Sequence, residues 1–243
     1  MPPFATLRRR IAALALAFAA APLAAATPDV GKIITGNPVS VRQTEALAKR
    51  ADFLITEVEK TQSQIRVTLD AYTTLVNSSA GDLRKPYRKL DRSIAKCEKY
   101  RKDVAWRADD ARKEADKYFS GWAASLPQIV DPDLRMRSET RMNDSRARFD
   151  GILEAGRRAG EAYQPFLAKL RDQWTYLGHD LNPSGLASLR PDAQELIESG
   201  TQVLLEIDGS LRQAREYVQS IRSIQPPPPP PPAPATPAPP AGS

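Results

Sequence analysis

Apolar residues recur at alternating steps of four and three along the middle of the chain, from Tyr87 to Trp122. The pattern lasts for about five heptads, and one charged residue, Arg101, interrupts it. It predicts a long amphipathic helix, because these positions share one stripe of an α-helix. Some forty residues span about 60 Å at 1.5 Å per residue, so only other long helices can cover the stripe.

Similar patterns predict three more long helices, and the four together occupy residues 40–224. The first runs from about Ser40 to Asn77, the third from about Asp133 to Leu181, and the fourth ends near Ile221. Pro165 lies inside the third pattern without shifting its phase, so we expect a bend there and not an end. Short connections place successive helices antiparallel, which predicts an all-α, elongated, up-and-down bundle.

Turn-forming residues separate these helices. Asp82 follows the turn at 77–81 and is expected to cap the second helix, in whose first turn Pro86 is tolerated. Residues 182–185 are expected to close the third helix, and residues 186–190 to form a link. Pro191 and Asp192 then open the fourth helix.

The two ends of the chain have compositions unlike the bundle. Residues 1–26 resemble a secretory signal, with a basic cluster, an apolar run too short to span a bilayer, and an Ala-x-Ala exit before Thr27. No cysteine lies at this cleavage site, so we expect an exported protein without a lipid anchor. Residues 27–39 form a lead-in. Residues 225–243, mostly proline and alanine, predict a disordered tail with polyproline II character, which acts as a spacer or as a docking ligand.

Composition excludes several classes of function. The net charge is +6, but Arg8, Arg9 and Arg10 lie in the predicted signal, and without them 32 basic groups face 29 acidic ones, a charge of +3. This bias is too small to indicate nucleic acid. One cysteine and one histidine leave little for a metal site. The chain lacks a phosphate-binding loop, a nucleophile elbow and a metal-ligand motif, so we predict no enzyme and no cofactor.

The densest charge cluster lies at the start of the second helix, where nine basic residues stand against Asp91 and Glu98 between Arg84 and Lys102. One interpretation is ion pairing with acidic residues that an up-and-down bundle brings near. The alternative is contact with an anionic surface, such as lipid head groups or a cell-wall polymer. The acidic candidates are Asp172, Asp180, Asp192, Glu195 and Glu198. The candidate surface residues are Arg84, Lys85, Arg88, Lys89, Arg92, Lys96 and Lys99.

Several single positions break the simple pattern. Arg101 and Arg146 occupy core positions and are expected to set the helix register. Trp106 falls at the outermost heptad position, so we expect an additional helix or, less favoured, a partner to cover it. Cys97 is predicted to be a buried small apolar residue, and His179 to stabilise a helix end or lie exposed.

Small residues are predicted to mark close helix approach. They are Ala108, Ala111 and Ala115 on the second helix and Gly156 and Gly160 on the third.

The chain resembles DUF2959, a family of bacterial envelope proteins of unknown function. The resemblance is carried by Gly81-Asp82-Leu83 with Tyr87, by Phe119 and Trp122, and above all by a run on the third helix. That run comprises Pro165, Leu170 to Gln173, Tyr176, Leu177, His179, Leu181 and Asn182, followed by Ala187 to Leu189. The resemblance covers roughly residues 43–221 and implies an exported helical protein with no assigned activity. Many relatives resemble lipoproteins, whereas this chain lacks the acceptor cysteine and adds the proline-rich tail.

We therefore predict an exported, non-enzymatic scaffold or interaction protein of the bacterial cell envelope. The alternative is a peripheral membrane protein that binds anionic lipid through the basic start of the second helix. A protein partner in the envelope and a homo-oligomer are compatible with both predictions.

Overall fold

A computed structural model describes residues 38–78 and 81–223, and within these ranges the chain consists of helices and short turns. The four long helices are α1 (Pro38–Val76), α2 (Arg84–Ser125), α3 (Pro132–His179) and α4 (Pro183–Arg222). A 3₁₀ turn, Leu126–Gln128, follows α2. The predicted all-α bundle of four helices is confirmed. The predicted signal, most of the lead-in, and the proline-rich tail lie outside the described residues.

The helices form a closed ring in which each one contacts two neighbours. Helix α1 packs against α2 and α4, and α3 packs against the same two helices, with the sparsest contact between α2 and α3. With 48 residues, α3 is about 72 Å long at 1.5 Å per residue. One continuous core fills the ring, and its largest fully buried side chains include Tyr72, Leu90, Phe119, Phe166, Leu170 and Leu196.

Side-chain caps set two of the helix starts. The Asp131 carboxylate accepts hydrogen bonds from the backbone N–H groups of Asp133, at 2.8 Å, and Leu134, at 3.1 Å. Asp82 accepts from the N–H of Arg84 at 3.1 Å, although Leu83 is the residue at the cap position of α2. Asp82 therefore helps to cap α2 as predicted, but it does so from the residue before the N-cap.

The predicted link at 186–190 is wrong, because α4 already begins at Pro183 and continues through Pro191. The Asn182 side chain caps this start by accepting from the N–H of Gly185 at 2.9 Å. A Cβ atom on Gly185 would lie 2.2 Å from the Asp180 carbonyl oxygen, so the turn requires glycine. Burial of Leu186 and Leu189 in the core outweighs the helix-breaking tendency of Pro191.

Helix α3 continues through Pro165 as predicted, but its buried stripe is shifted in the middle. The pattern placed Leu153, Gly156 and Gly160 in the core, whereas the buried residues are Ile152, Ala155 and Ala159. The shift arises because this part of α3 packs on α4 and stands away from α2. On the α4 side, Phe149 lies 5.8 Å from Tyr217 between ring centroids.

Candidate functional site

The seven basic candidate residues of α2 share one side of the helix. At 100° per residue they fall within an arc of roughly 140°. Leu90, Ile94 and Cys97 occupy the opposite side and are fully buried. All seven side chains are exposed. We call this surface the basic face, comprising Arg84, Lys85, Arg88, Lys89, Arg92, Lys96 and Lys99.

The basic face is almost without internal ion pairs. Among the described residues, only Lys99 pairs with a carboxylate, that of Asp103 on the same helix, at 2.7 Å. The hydrogen bond to Asp103 is the main reason that the pKa of Lys99 is raised. Ion pairing with the acidic residues of α3 and α4 is not observed, so that interpretation is wrong in the described chain. The cause is geometric, since the basic face points away from both helices.

Acidic residues of α2 lie instead at its contact with α3. The Arg171 guanidinium on α3 reaches Glu98 at 2.5 Å and Asp91 at 3.7 Å. Among the acidic residues expected to neutralise α2, Glu195 pairs with Lys169 of α3 at 2.5 Å. The two negative charges within the basic cluster are therefore neutralised by α3 and leave the outward charge uncompensated.

The start of α2 carries positive charge where a helix disfavours it. Its first turn has no acidic residue, and Leu83 at the N-cap position makes no side-chain hydrogen bond to the helix start. Each cation near a helix N-terminus opposes the macrodipole by about 0.3–1 kcal/mol. The Asp82 carboxylate offsets part of this cost at the helix terminus, and a bound anion would be attracted by the exposed basic side chains.

Trp106 extends the basic face with an aromatic side chain. It lies two helical turns after Lys99 on the same side of α2 and is 59% exposed. The Arg107 guanidinium lies 4.6 Å from the Trp106 ring and 5.2 Å from that of Phe53, both within the range of cation–π contacts. No helix of the described chain covers Trp106, so the expected additional helix is absent there and contact with a partner surface remains.

Helices α2 and α3 are joined firmly at both ends. Near the start of α2, the rings of Tyr87 and Trp174 stack with centroids 5.2 Å apart. Near its end, the Trp122 indole donates to Ser138 Oγ at 3.0 Å. Arg146, which was expected to set the register, is exposed and pairs with Asp116 across the two helices at 3.4 Å. It therefore ties α2 to α3 from the surface.

Between these ends, α2 and α3 separate and leave a groove with a volume of about 280 Å³. The predicted close approach at Ala108, Gly156 and Gly160 is thus wrong, because all three line this groove. A Cβ on Gly160 would meet no atom within 4 Å, and one on Gly156 only Ser210 Oγ at 3.9 Å. Ala111 and Ala115 are buried in the core. The floor of the groove comes from α1 and α4 and is mainly apolar, with Ile55, Val58, Ile207, Leu211 and Ala214.

Three arginines line the groove, and they differ in their partners. Arg112 pairs with Asp109 at 3.2 Å, and Arg157 pairs with Glu154 at 2.7 Å and also with Glu161. Arg101 makes no ion pair or hydrogen bond with any described residue, although Arg101 occupies a core position of the heptad pattern. Its charge is close enough to Tyr163 to oppose, in part, the rise in the pKa of that phenol that burial causes.

Tyr163 lines this end of the groove, and the buried Cys97 lies behind it, outside the lining. Tyr163 is 3% exposed, and its side chain interacts with the Cys97 thiol. The Cys97 sulfur lies 3.2 Å from Thr68 Oγ1, and burial raises the pKa of its thiol. A buried thiol held in its protonated form is a poor nucleophile, which agrees with the prediction that Cys97 packs as a small apolar residue.

The described residues contain no cluster of histidine, cysteine and carboxylates that could hold a metal ion. In the same part of the chain, none of the helices has the length and apolar character needed to cross a membrane. His179 is exposed and is the last residue of α3, where its position suits the negative end of the helix dipole.

Sequence reasoning identified the basic face by charge density but did not find the groove. The available signal was the set of small residues on the facing stripes of α2 and α3, which include Ala105, Ala108, Gly156 and Gly160. Small residues permit either a close helix contact or a gap, and the heptad pattern does not decide between them. Arg101 in the middle of the stripe was the second signal, because a charge at this position favours access to water.

Comparison with protein families shows one match, to the model described as "Protein of unknown function (DUF2959)", over residues 37–221. No curated protein and no solved structure matches the chain.

Proposed function

The chain belongs to the DUF2959 family, to which no activity is assigned, and we propose that it is an exported, non-enzymatic protein that binds anionic membrane surfaces through the basic face of α2. The observation that carries this proposal is the exposed face of seven cations, of which only Lys99 has an acidic partner among residues 38–78 and 81–223. Export rests on the predicted signal in residues 1–26.

Both the sign of the charge on the basic face and the expected strength of its attraction to an anionic membrane support this function. Each Lys or Arg near an anionic membrane surface contributes about 1 kcal/mol, so the six unpaired cations of the basic face provide useful affinity without any other contact. Their arrangement along α2 lets one side of a straight helix lie against a flat surface. Trp106 on the same side supplies an amphipathic ring of the kind that membrane interfaces favour.

Sedimentation with vesicles tests the proposal. The full chain should bind vesicles that contain phosphatidylglycerol, bind phosphatidylcholine vesicles much less, and dissociate as salt is raised. Replacing Lys85, Arg88, Lys89 and Arg92 by Gln should weaken binding by about 4 kcal/mol, roughly a thousandfold. Absence of binding to anionic vesicles at low salt would refute the proposal.

A control with the same change in net charge separates the local face from the overall charge. Arg66, Arg137, Arg148 and Arg212 are exposed, lie on α1, α3 and α4, and have no ion pair in the described chain. Replacing all four by Gln should leave vesicle binding nearly unchanged. Equal losses for both quadruple variants would mean that binding follows net charge and does not use a defined surface.

A protein partner is the second candidate, favoured by exposed apolar side chains at the turn between α2 and α3. Val130 is 88% exposed and Met136 61%, and Leu134 lies between them at 40%. Such a cluster fits a scaffold role or self-association. Sedimentation equilibrium of the wild-type chain and of a Val130→Ser, Met136→Ser variant tests self-association, which should weaken in the variant.

A further inference from the structure

From the groove between α2 and α3 we infer a binding site for a single-chain anionic amphiphile, with the acyl chain in the groove and the acid group at Arg101. The site is separate from the basic face. At 100° per residue, Arg101 projects from α2 about 100° or more away from each of the seven cations of that face. The inference therefore goes beyond the proposed membrane binding and does not depend on it.

The size of the groove fits one narrow chain. Along α2 its lining runs from Arg101 to Arg112, which is about 16 Å at 1.5 Å per residue. A volume of about 280 Å³ spread over that length makes a narrow groove, which suits one polymethylene chain. The volume also lies just below the usual range for ligand pockets, about 300–1,000 Å³.

The chemistry of the walls fits an aliphatic chain. Leu54, Val58, Leu153 and Ile207 supply branched apolar side chains, and the glycines at 156 and 160 leave the space between them open. Water in a groove with such walls gains few hydrogen bonds, so its displacement by an aliphatic chain is favourable.

The charges give the ligand a direction. Arg112 and Arg157 are neutralised by carboxylates of their own helices, whereas Arg101 is left without an ion pair among the described residues. A guanidinium presents several N–H donors in one plane and binds a carboxylate or phosphate with two parallel hydrogen bonds. The acid group is therefore placed at the Arg101 end, beside the buried Tyr163.

Calorimetric titration of the full chain with decanoic acid, below its micelle concentration, tests the site. Saturable binding with one ligand per chain is expected, and decanol, which has the same chain without the charge, should bind more weakly. Arg101→Gln should lose about tenfold in decanoate affinity or more while decanol affinity stays unchanged. Arg112→Gln is the matched control and should bind decanoate almost as the wild type does.

Two further measurements establish where and what the site binds. Gly160→Leu should fill the groove and abolish binding of both probes, with circular dichroism checking that the variant is folded. Lysophosphatidylglycerol, titrated in parallel, distinguishes a lipid source from a free fatty acid. Tighter binding of lysophosphatidylglycerol than of decanoate would indicate a lipid ligand, and the reverse would indicate a free fatty acid. The variant with four Gln substitutions on the basic face should keep decanoate binding even if it loses vesicle binding.

Three results would overturn the inference. These are no saturable binding of either acid probe to the folded chain, equal decanoate affinity in the wild type and Arg101→Gln, and loss of decanoate binding in the basic-face variant.

Discussion

Replacing a glycine by alanine at position 160 or 200 makes the same chemical change in opposite surroundings. At Gly160, on the wall of the groove, the new Cβ would meet no atom within 4 Å. At Gly200 it would lie 2.8 Å from Leu69 Cδ2 and 2.8 Å from Phe166 Cε2. At position 200, α4 thus packs closely on both α1 and α3, and at position 160 α3 stands apart from α2.

The expected effects on the free energy of unfolding differ in sign. Alanine in a helix interior is favoured over glycine by about 0.8–1.0 kcal/mol, and at position 160 nothing opposes this gain. At position 200 the same gain competes with an overpacking cost of about 1–3 kcal/mol. The Phe166 ring is fully buried and has little room to move, so we expect Gly200→Ala to destabilise by about 1 kcal/mol.

Urea unfolding followed by circular dichroism measures both variants. The two substitutions should differ by about 2 kcal/mol, or about 4–8 °C in Tm for a bundle of this size. Gly151→Ala is the control for helix propensity alone, because Gly151 is exposed and its Cβ would also meet nothing within 4 Å. Destabilisation by Gly160→Ala would show that the groove is closed in solution. Stabilisation by Gly200→Ala would refute the three-helix contact.

Three further predictions follow from burial. Leu167→Ala should destabilise by about 2–5 kcal/mol in urea unfolding, and Leu204→Ala by less, because Leu167 is buried and Leu204 only partly so. Burial raises the pKa of Tyr217 to about 12, so stability is full below the unfolded pKa of about 10 and falls as pH rises towards 12. Between pH 9 and 11 the wild type should lose about 1.4 kcal/mol more than Tyr217→Phe. Trp106→Ala should weaken sedimentation with anionic vesicles while changing Tm by less than about 2 °C, since its ring makes little packing contact.

Helix positions were predictable because they depend on local patterns and on turn residues. The starts of α2 and α3 agree with the sequence to within two residues, since Asp82 and Asp131 act locally. The start of α4 was missed because Pro191 has the sequence signal of a helix start. Asn182 provides the actual cap nine residues earlier, before Leu186 and Leu189, whose burial depends on α4 packing into the bundle.

The site depends on which side of each helix meets a neighbour, and a heptad pattern specifies this only approximately. On α3, a shift of one residue exchanges Ala159 for Gly160 and so converts an expected helix contact into the wall of a groove. The same limit applied to the basic cluster. The order of the helices places an acidic residue such as Asp172 of α3 near α2, but in the described chain it forms no ion pair with the basic face. The sequence shows where basic residues are concentrated. Which of these charges are neutralised can be known only from the packing of α2 against α3.

On α2, most cations of the basic face have no acidic partner among the described residues, and this is the strongest argument for the proposed contact of that face. Arg171 of α3 engages Asp91 and Glu98, so neither is left to neutralise the cations of the basic face. Mutual repulsion among those cations destabilises the fold slightly, and burial gives nothing in return because they are exposed. If stability alone governed these positions, carboxylates at i, i+4 spacing would be favoured among them. The proposed anionic surface would supply the missing negative charge from outside, without requiring any change in the bundle.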